Sequence, residues 1–571
     1  MMFSCSRNPN GRFGFGKFPF PKPASYADIV IYTRWNVLEN FIPRIRTWCA
    51  PPPTLCPMTF ATNSVAHLSP STITFTFACL AIFLVYRLSR RTFHLPPGPK
   101  PLPFIGNVHQ LPIEHQEKAF AEWGRKYGDI IFIQIFRAPT IIINSLKVAK
   151  ALLDQRSRSY SDRPRLVLLA ELWGFDTQLI SMPNNSRFRK QRKWLLDALT
   201  RSSILKYQNL QKREAYILLA GLIQTPECFV DHVWRYAAAN ILQVTYDHRV
   251  ITSDDPQLKL SQKTFSVVAA PRGPMEILVD FFPRLKHYPT WLPGSSWKRN
   301  ALEVRKAVKS TLDAPYALIR HRMDEGTAGP CVISSLIEKY YRDGTLEENE
   351  EDIKGAGGMM YGAGTETTAS TINALILALV RHPRVFQKLK DEVDRVVGND
   401  RLPDFTDRPH MPYHEAALTE LFRYHSAVTM GMPHFNTKED TYEGYNIPAG
   451  TTVIANIWAM GQDEETYPNP EEFRPERFLG LDSASFDSIN PKQFAFGFGR
   501  RLCPGRDLAE ATIFLAMSGI AATMNITPIK DDDGMELVPP HAFTGGFAST
   551  PKPFKCKITP RFIDLSGCEM N

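Results

Sequence analysis

One stretch near the C-terminus, FAFGFGRRLCPGRDLAEATIFLA, Phe494 to Ala516, constrains this chain more than any other. It sets a single cysteine, Cys503, between a glycine–arginine run and an apolar helical pattern. Gly497, Gly499 and Gly505 permit backbone conformations that a side chain forbids. Arg500, Arg501 and Arg506 bring positive charge close by, which favours a thiolate over a thiol. From Asp507 the spacing of Leu508, Ile513, Phe514 and Leu515 reads as a helix, so Cys503 lies just before a helix N-terminus. Backbone N–H groups at such an end point at an anion, and the helix dipole favours it. This surrounding is expected to stabilise negative sulfur, and the thiol reads as a soft metal ligand or as a nucleophile.

A cysteine nucleophile needs a histidine base, and no motif near Cys503 or any histidine identifies one. Zinc needs several ligands, yet Cys503 is the only cysteine between Cys331 and Cys556, and no CxxC pair occurs in the chain. A single thiolate suits haem iron, because the porphyrin supplies four equatorial ligands. Phe496 to Gly505, FGFGRRLCPG, resembles the haem-ligand loop of the cytochrome P-450 family. That resemblance implies haem b (iron protoporphyrin IX) with Cys503 as axial thiolate and with Phe496 and Gly505 as cofactor-binding residues. It implies a mainly α fold with small β-sheets.

Four further motifs stand in the family's order. GAGGMMYGAGTETTASTINALILALV, Gly355 to Val380, is rich in glycine and yet ends in a helical pattern of Ile372, Leu375, Ile376, Leu379 and Val380. Each interior glycine costs about 1 kcal/mol against alanine, so close helix packing or passage over a flat cofactor must offset it. Ala363-Gly364-Thr365-Glu366-Thr367-Thr368 resembles the family's oxygen-activation motif. By that match Ala363 and Gly364 let the helix cross the cofactor and bend, Thr367 hydrogen-bonds dioxygen, and Glu366 helps relay protons. Glu420 and Arg423 are three apart on one helix face, and with Arg477 of FRPERF they resemble the family's buried Glu-Arg-Arg network that positions the cysteine loop. PPGPKPLPFIGN, Pro96 to Asn107, resembles the proline-rich hinge of membrane-anchored members. Arg501, Arg192 of RFRKQRKWLL and His434 of GMPHF match positions that contact haem propionates, with Phe188 where the family usually has tryptophan. The cluster Arg187, Arg189, Lys190, Arg192 and Lys193 is ordinarily a solvated helix face, and beside a haem it offers an acidic flavoprotein reductase a docking patch.

The formal charge of +9 invites a nucleic-acid reading, and its distribution excludes one. The first 100 residues carry eleven Lys and Arg against Asp28 and Glu39, which leaves residues 101–571 balanced. A basic body for binding nucleic acid is absent. The nine cysteines lack paired spacing, which suits a reducing compartment. STITFTFACLAIFLVY, Ser71 to Tyr86, is uncharged and is followed at once by Arg87, Arg90 and Arg91. As a helix it rises about 24 Å, which with its flanks reaches across a ~30 Å hydrocarbon core. Positive charge after the span places the body in the cytoplasm. The chain is therefore expected to divide into a leader, residues 1–57, that is either poorly ordered or not a genuine part of the protein, Met58 being a natural start; an anchor region, 58–92; the hinge, 93–107, as a stiff spacer; and a haem-thiolate catalytic domain, 108–571. The expected location is the endoplasmic-reticulum membrane, single-pass, with membrane lipid as a partner.

Asp129 to Ser145 alternates around β-branched residues with a turn expected at Ala138-Pro139, and His382 to Gly398 reads as a helix with proline at its start and glycine at its stop. No GxGxxG follows a strand, so NADPH acts only through a flavoprotein reductase that delivers electrons. The expectation is a membrane-anchored monooxygenase that inserts one oxygen atom of dioxygen into an apolar small molecule, in fungal natural-product biosynthesis. The alternatives are a haem-thiolate isomerase or dehydratase that needs no dioxygen, and a non-catalytic haem-binding protein. Trp173, Phe175, Val428 to Met432 and Phe543-Thr544 are pocket linings by family position.

Overall fold

Strong β-branching in Asp129–Ser145 produces a hairpin, Ile130–Ile135 (β1) and Ala138–Ile143 (β2), in which Ile135 pairs with Ala138. The turn is therefore Phe136-Arg137, two residues before the expected one, with Phe136 at φ 52°. Pro139 sits inside β2 opposite Gln134. A computed structural model describes residues 94–269, 273–545 and 548–561. The leader and the span Ser71–Tyr86 lie outside these residues, and among the described residues no helix is long and apolar enough to cross a membrane.

The hairpin is half of a four-stranded sheet, ordered β1, β2, Thr452–Ala455 (β6) and His434–Phe435 (β3). Here β2 runs parallel to β6, and β3 antiparallel to it. Asp440–Tyr442 (β4) and Tyr445–Ile447 (β5) form a separate hairpin. Its two turn residues, Glu443 and Gly444, both have positive φ, as the tight right-twisted hairpin requires. Pro97 to Asn107 lies along β1 rather than standing off as a spacer. The Phe132 N–H donates to the Pro97 carbonyl at 2.9 Å, and the Asn107 N–H to that of Gln134 at 2.6 Å.

Helices make up the rest. Three matter for the site: Ser186–Ala198 (α1), Leu346–Arg381 (α2) and Arg506–Thr523 (α3). The second runs 36 residues without interruption. Its early glycines exist for close packing. A Cβ added at Gly355 would lie 1.9 Å from the Thr177 carbonyl oxygen, and one at Gly358 would lie 2.0 Å from Leu312 Cδ2. The C-terminal half of α2, Thr368 to Val380, is buried on every face, as is most of α3, the signature of helices inside a large core. The expected helix after His382 is Pro383–Val396, with Val385, Phe386, Leu389 and Val393 buried and Gly398 at φ 77° beyond its end. The fold is mainly helical with small sheets.

Candidate haem-thiolate site

Between the short helix Lys492–Ala495 and α3, the chain makes a tight loop closed by the Cys503 N–H, which donates to the Phe496 carbonyl at 2.9 Å. Two of its glycines have no substitute. Gly497 has φ 80°, and Gly499 has φ 54° with its missing Cβ only 2.2 Å from the Leu153 carbonyl oxygen. Gly505 differs from the expectation. Its φ of −90° is open to any residue, and its added Cβ would meet Cys503 Sγ at 4.0 Å. What it contributes is an N–H directed to the sulfur and space beside it.

The electrostatics of the thiol also correct the sequence expectation. Burial is the strongest influence and pushes the Cys503 thiol up; the Gly505 N–H, Arg192 and Arg506 pull it back toward the thiolate. Arg501 is occupied elsewhere. Cys503 is nonetheless exposed, so protein surrounds the thiol without covering it, as expected of a group that faces an internal slot.

Behind the loop lies the carboxylate of Glu420. It accepts from Arg423 Nε and Nη2 at 2.7 and 2.8 Å, from the Arg474 N–H at 2.8 Å, and from Arg477 Nε at 3.4 Å. All three side chains of the expected triad are buried. Its link to the loop is aromatic: the Phe422 ring meets Phe496 edge-on, with centroids 4.9 Å apart.

Three arginines and a histidine gather in one cluster: Arg192 acts on Cys503 and on Arg501, and Arg163, Arg501 and His434 act on one another. Arg501 donates to the carbonyls of Ser161, Leu179 and Met182 at 2.8, 3.2 and 2.7 Å. Its guanidinium stacks on the Phe188 ring at 3.7 Å. The phenylalanine at the family's tryptophan position thus supplies a ring face and no N–H donor. Arg192 donates to the Leu502 carbonyl at 2.6 Å. Burial lowers both arginines, Arg501 to about 10.

Arg163, which sequence reasoning missed, donates to the carbonyls of Ile180, Met432 and Pro433 at 3.0, 3.0 and 2.6 Å. Asp162-Arg163-Pro164 carries no pattern that marks it; only tertiary burial does. The nearby Asp162 uses Oδ1 on the backbone N–H groups of Arg163 and Asn184. His434 sits in β3 with Nδ1 2.7 Å from the Tyr160 carbonyl. A carbonyl only accepts, so Nδ1 carries the proton. Burial with Arg163 and Arg501 nearby lowers the ring to about 3. His434 can therefore donate from Nε2 only if a carboxylate beside it restores the second proton.

Among the described residues Arg163, Arg192 and Arg501 form no ion pair. Arg163 is buried and Arg192 and Arg501 are half-buried, and Asp162 is the carboxylate whose charge acts on Arg163 and Arg501, so guanidinium groups outnumber it in partly dry surroundings, which is costly. A dianionic group carrying a soft metal, placed between this cluster and Cys503, would supply the missing charge. The residues fit haem on this ground.

The expected oxygen-activation residues lie on α2. Thr367 Oγ1 donates to the Ala363 carbonyl at 2.8 Å, and Thr371 Oγ1 to the Thr367 carbonyl at 2.8 Å, which loads the ladder in the way that bends helices. Gly364 does not break the helix. Its missing Cβ would lie 3.0 Å from Ile241 Cγ1, so it admits the neighbouring helix Phe229–Tyr246. Gly362, exposed, has open space beside it. Burial raises the Glu366 carboxyl to about 8, so at neutral pH it holds its proton.

Two expected pocket linings approach α2. Phe543 stacks on His425 at 4.8 Å, and His425 Nε2 lies 3.0 Å from Ser370 Oγ on α2. The Ser549 N–H donates to the Ala427 carbonyl at 2.8 Å, just ahead of Val428–Met432. Trp173 and Phe175 belong to a separate apolar layer with Trp297, Val304 and Val308. In the basic cluster of α1, Arg187 and Lys190 are paired with Asp352 and are not free for docking. Arg189 and Lys193 are exposed.

The family model described as Cytochrome P450 matches residues 96–558. Cytochrome P450 monooxygenase 176 of Postia placenta is 39% identical over 488 residues, covering 84% of this chain and 94% of that protein. Cytochrome P450 monooxygenase claR of Ampulloclitocybe clavipes is 37% identical over 501 residues, 86% and 92% of the two chains. Cytochrome P450 monooxygenase COX2 of Coprinopsis cinerea is 33% identical over 486 residues, 85% and 92%.

Proposed function

The chain belongs to the cytochrome P450 family, a haem-thiolate monooxygenase dependent on reductase-supplied electrons, and on that footing we propose how its own residues divide the work. Cys503 binds the iron, and the observation that carries this is an enclosed yet accessible thiol with Arg192 beside it, in a cluster whose arginines outnumber the one carboxylate, Asp162, that acts on Arg163 and Arg501. Arg163, Arg192 and Arg501 hold the propionates, and His434 joins them as imidazolium. Phe496 and Gly505 border the cofactor from the loop, Ala363 and Gly364 from α2. When bound, the haem supplies activation of dioxygen and transfer of one oxygen atom to substrate.

The protein's part on the other face is the handling of protons. Glu366 is neutral at pH 7 because it is enclosed, so it can give a proton without first taking one from solvent. The Thr367 hydroxyl, now bonded to Ala363, can turn its proton toward the slot while its oxygen accepts from Glu366 or a water. The apolar surroundings of α2 keep bulk water from competing.

The substrate is an apolar small molecule, and oxidation of a fungal natural product is the role we propose. The body sits at the cytoplasmic face of the endoplasmic reticulum on a single span, Ser71–Tyr86, with Arg189 and Lys193 offered to an acidic reductase. The test is the carbon monoxide difference spectrum. Wild type should show the red-shifted Soret band of thiolate-ligated haem, and Cys503→Ser should lose it. A wild-type band of the histidine-ligated kind refutes the ligand assignment. Reductase-coupled microsomes incubated with extracts of the source organism should then show mass gains of one oxygen.

A further inference from the structure

The cysteine loop is braced from outside by a segment with no part in the chemistry above. Lys150–Gln155 forms a single π-helical turn, a wide and uncommon geometry often found beside functional sites. From this turn two consecutive residues reach the same glycine of the loop. The Gly499 N–H donates to Asp154 Oδ1 at 2.5 Å, and the Leu153 carbonyl occupies the space where a Cβ at position 499 would stand. Lys150 Nζ bonds Gln493 Oε1 ahead of the loop, and the Ser161 carbonyl accepts from Arg501 beyond it.

Gly499 is where the loop is most sensitive. It has φ 54° and opens the turn Gly499–Arg501. The Leu502 N–H donates back to the Gly499 carbonyl at 3.2 Å, and the next residue is Cys503. A rotation at Gly499 therefore displaces Leu502 and the thiol together. Without an acceptor, this N–H would be a backbone donor facing protein with no partner, a state native folds avoid. Among the described residues Asp154 alone accepts from it.

We propose that Asp154 is a positioning residue for the thiolate. By accepting the Gly499 N–H, it holds the loop in the register that presents Cys503 Sγ to the iron. It touches neither the sulfur nor the cofactor, and the proposal rests on Cys503 being the iron ligand.

The test compares Asp154→Ala with Asp154→Asn, which keeps an acceptor oxygen of the same reach, using Cys503→Ser as reference. In mild urea, the Ala variant should convert from the red-shifted carbon monoxide band to the shorter-wavelength form at least about tenfold faster than wild type, the ratio that loss of one hydrogen bond to a carboxylate corresponds to. The Asn variant should fall between wild type and Ala, since its neutral carbonyl still accepts, though more weakly than a carboxylate. A wild-type rate in Asp154→Ala overturns the proposal, as does an Asn variant no better than Ala. If Cys503→Ser keeps the thiolate band, the ligand assignment itself has failed. Should the Ala variant not fold, amide exchange in the wild-type holoprotein decides. Gly499 should be protected as well as Cys503, and a freely exchanging Gly499 overturns the proposal.

Discussion

Replacing Glu420 by alanine removes the one carboxylate that neutralises two buried guanidinium groups. Four donors converge on it, three of them within 2.8 Å. After the change Arg423 keeps the carbonyls of Gly461 and Glu472, and Arg477 keeps those of Pro468 and Asn469. Hydrogen bonding is thus partly retained while the counter-charge is gone. Breaking one partner of a buried pair costs about 3–5 kcal/mol, against ~0–1 kcal/mol for an exposed pair of the same residues. Glu420 and Arg423 are 0% and 1% exposed, which selects the larger figure. Arg477→Ala should cost less, because its bond to Glu420 is the longest, 3.4 Å, and the Glu420–Arg423 pair survives.

The assay is the urea midpoint followed by far-ultraviolet dichroism and by the haem band, with unchanged slope taken as the mark of an unchanged unfolding reaction. Glu420→Ala should lower both midpoints together and reduce haem content as expressed. A loss below about 1 kcal/mol would refute the reasoning, since it would mean that the triad behaves as a solvated surface pair.

Thr367→Ala should leave fold, haem content and substrate binding intact while diverting NADPH electrons to peroxide, measured as peroxide formed per NADPH; coupling equal to wild type contradicts the proton role. The Glu366 carboxyl, raised to about 8 from 4.5 by burial, binds its proton more tightly in the folded state, so its stabilising contribution is whole at low pH and is lost as pH rises through about 8. Glu366→Gln should flatten that part of the profile of denaturation midpoint against pH, and an unchanged profile counts against the assignment. Gly355→Ala should destabilise by at least ~1–3 kcal/mol through the clash with the Thr177 carbonyl, without changing the carbon monoxide band of whatever protein folds. Removing residues 1–92 should release much of the protein from microsomes and preserve the haem spectrum; a chain that remains wholly membrane-bound would show that Ser71–Tyr86 is not the main anchor.

Local chemistry alone determined a good deal. Gly497 and Gly499 announce a loop only glycine can make, Pro383 and Gly398 bracket their helix, and the alternation in Ile130–Ile143 yields its hairpin, because these signals act over a few residues. The closed Cys503 loop and the buried Glu-Arg-Arg triad were legible for the same reason: each is a short motif. Charge pairing and burial were not. Arg163 reached the cationic cluster, and Arg187 and Lys190 left the docking face for Asp352, through contacts between residues more than 150 positions apart. The thiol of Cys503 proved to be held up by enclosure, against neighbours that read as uniformly favourable to its anion. Gly505 needed no glycine backbone, and Gly364 served a neighbouring helix instead of a bend. Asp154 carries no motif at all, and its meaning comes only from the glycine folded against it. Desolvation and long-range hydrogen bonding depend on which surfaces meet, and only the folded chain decides that.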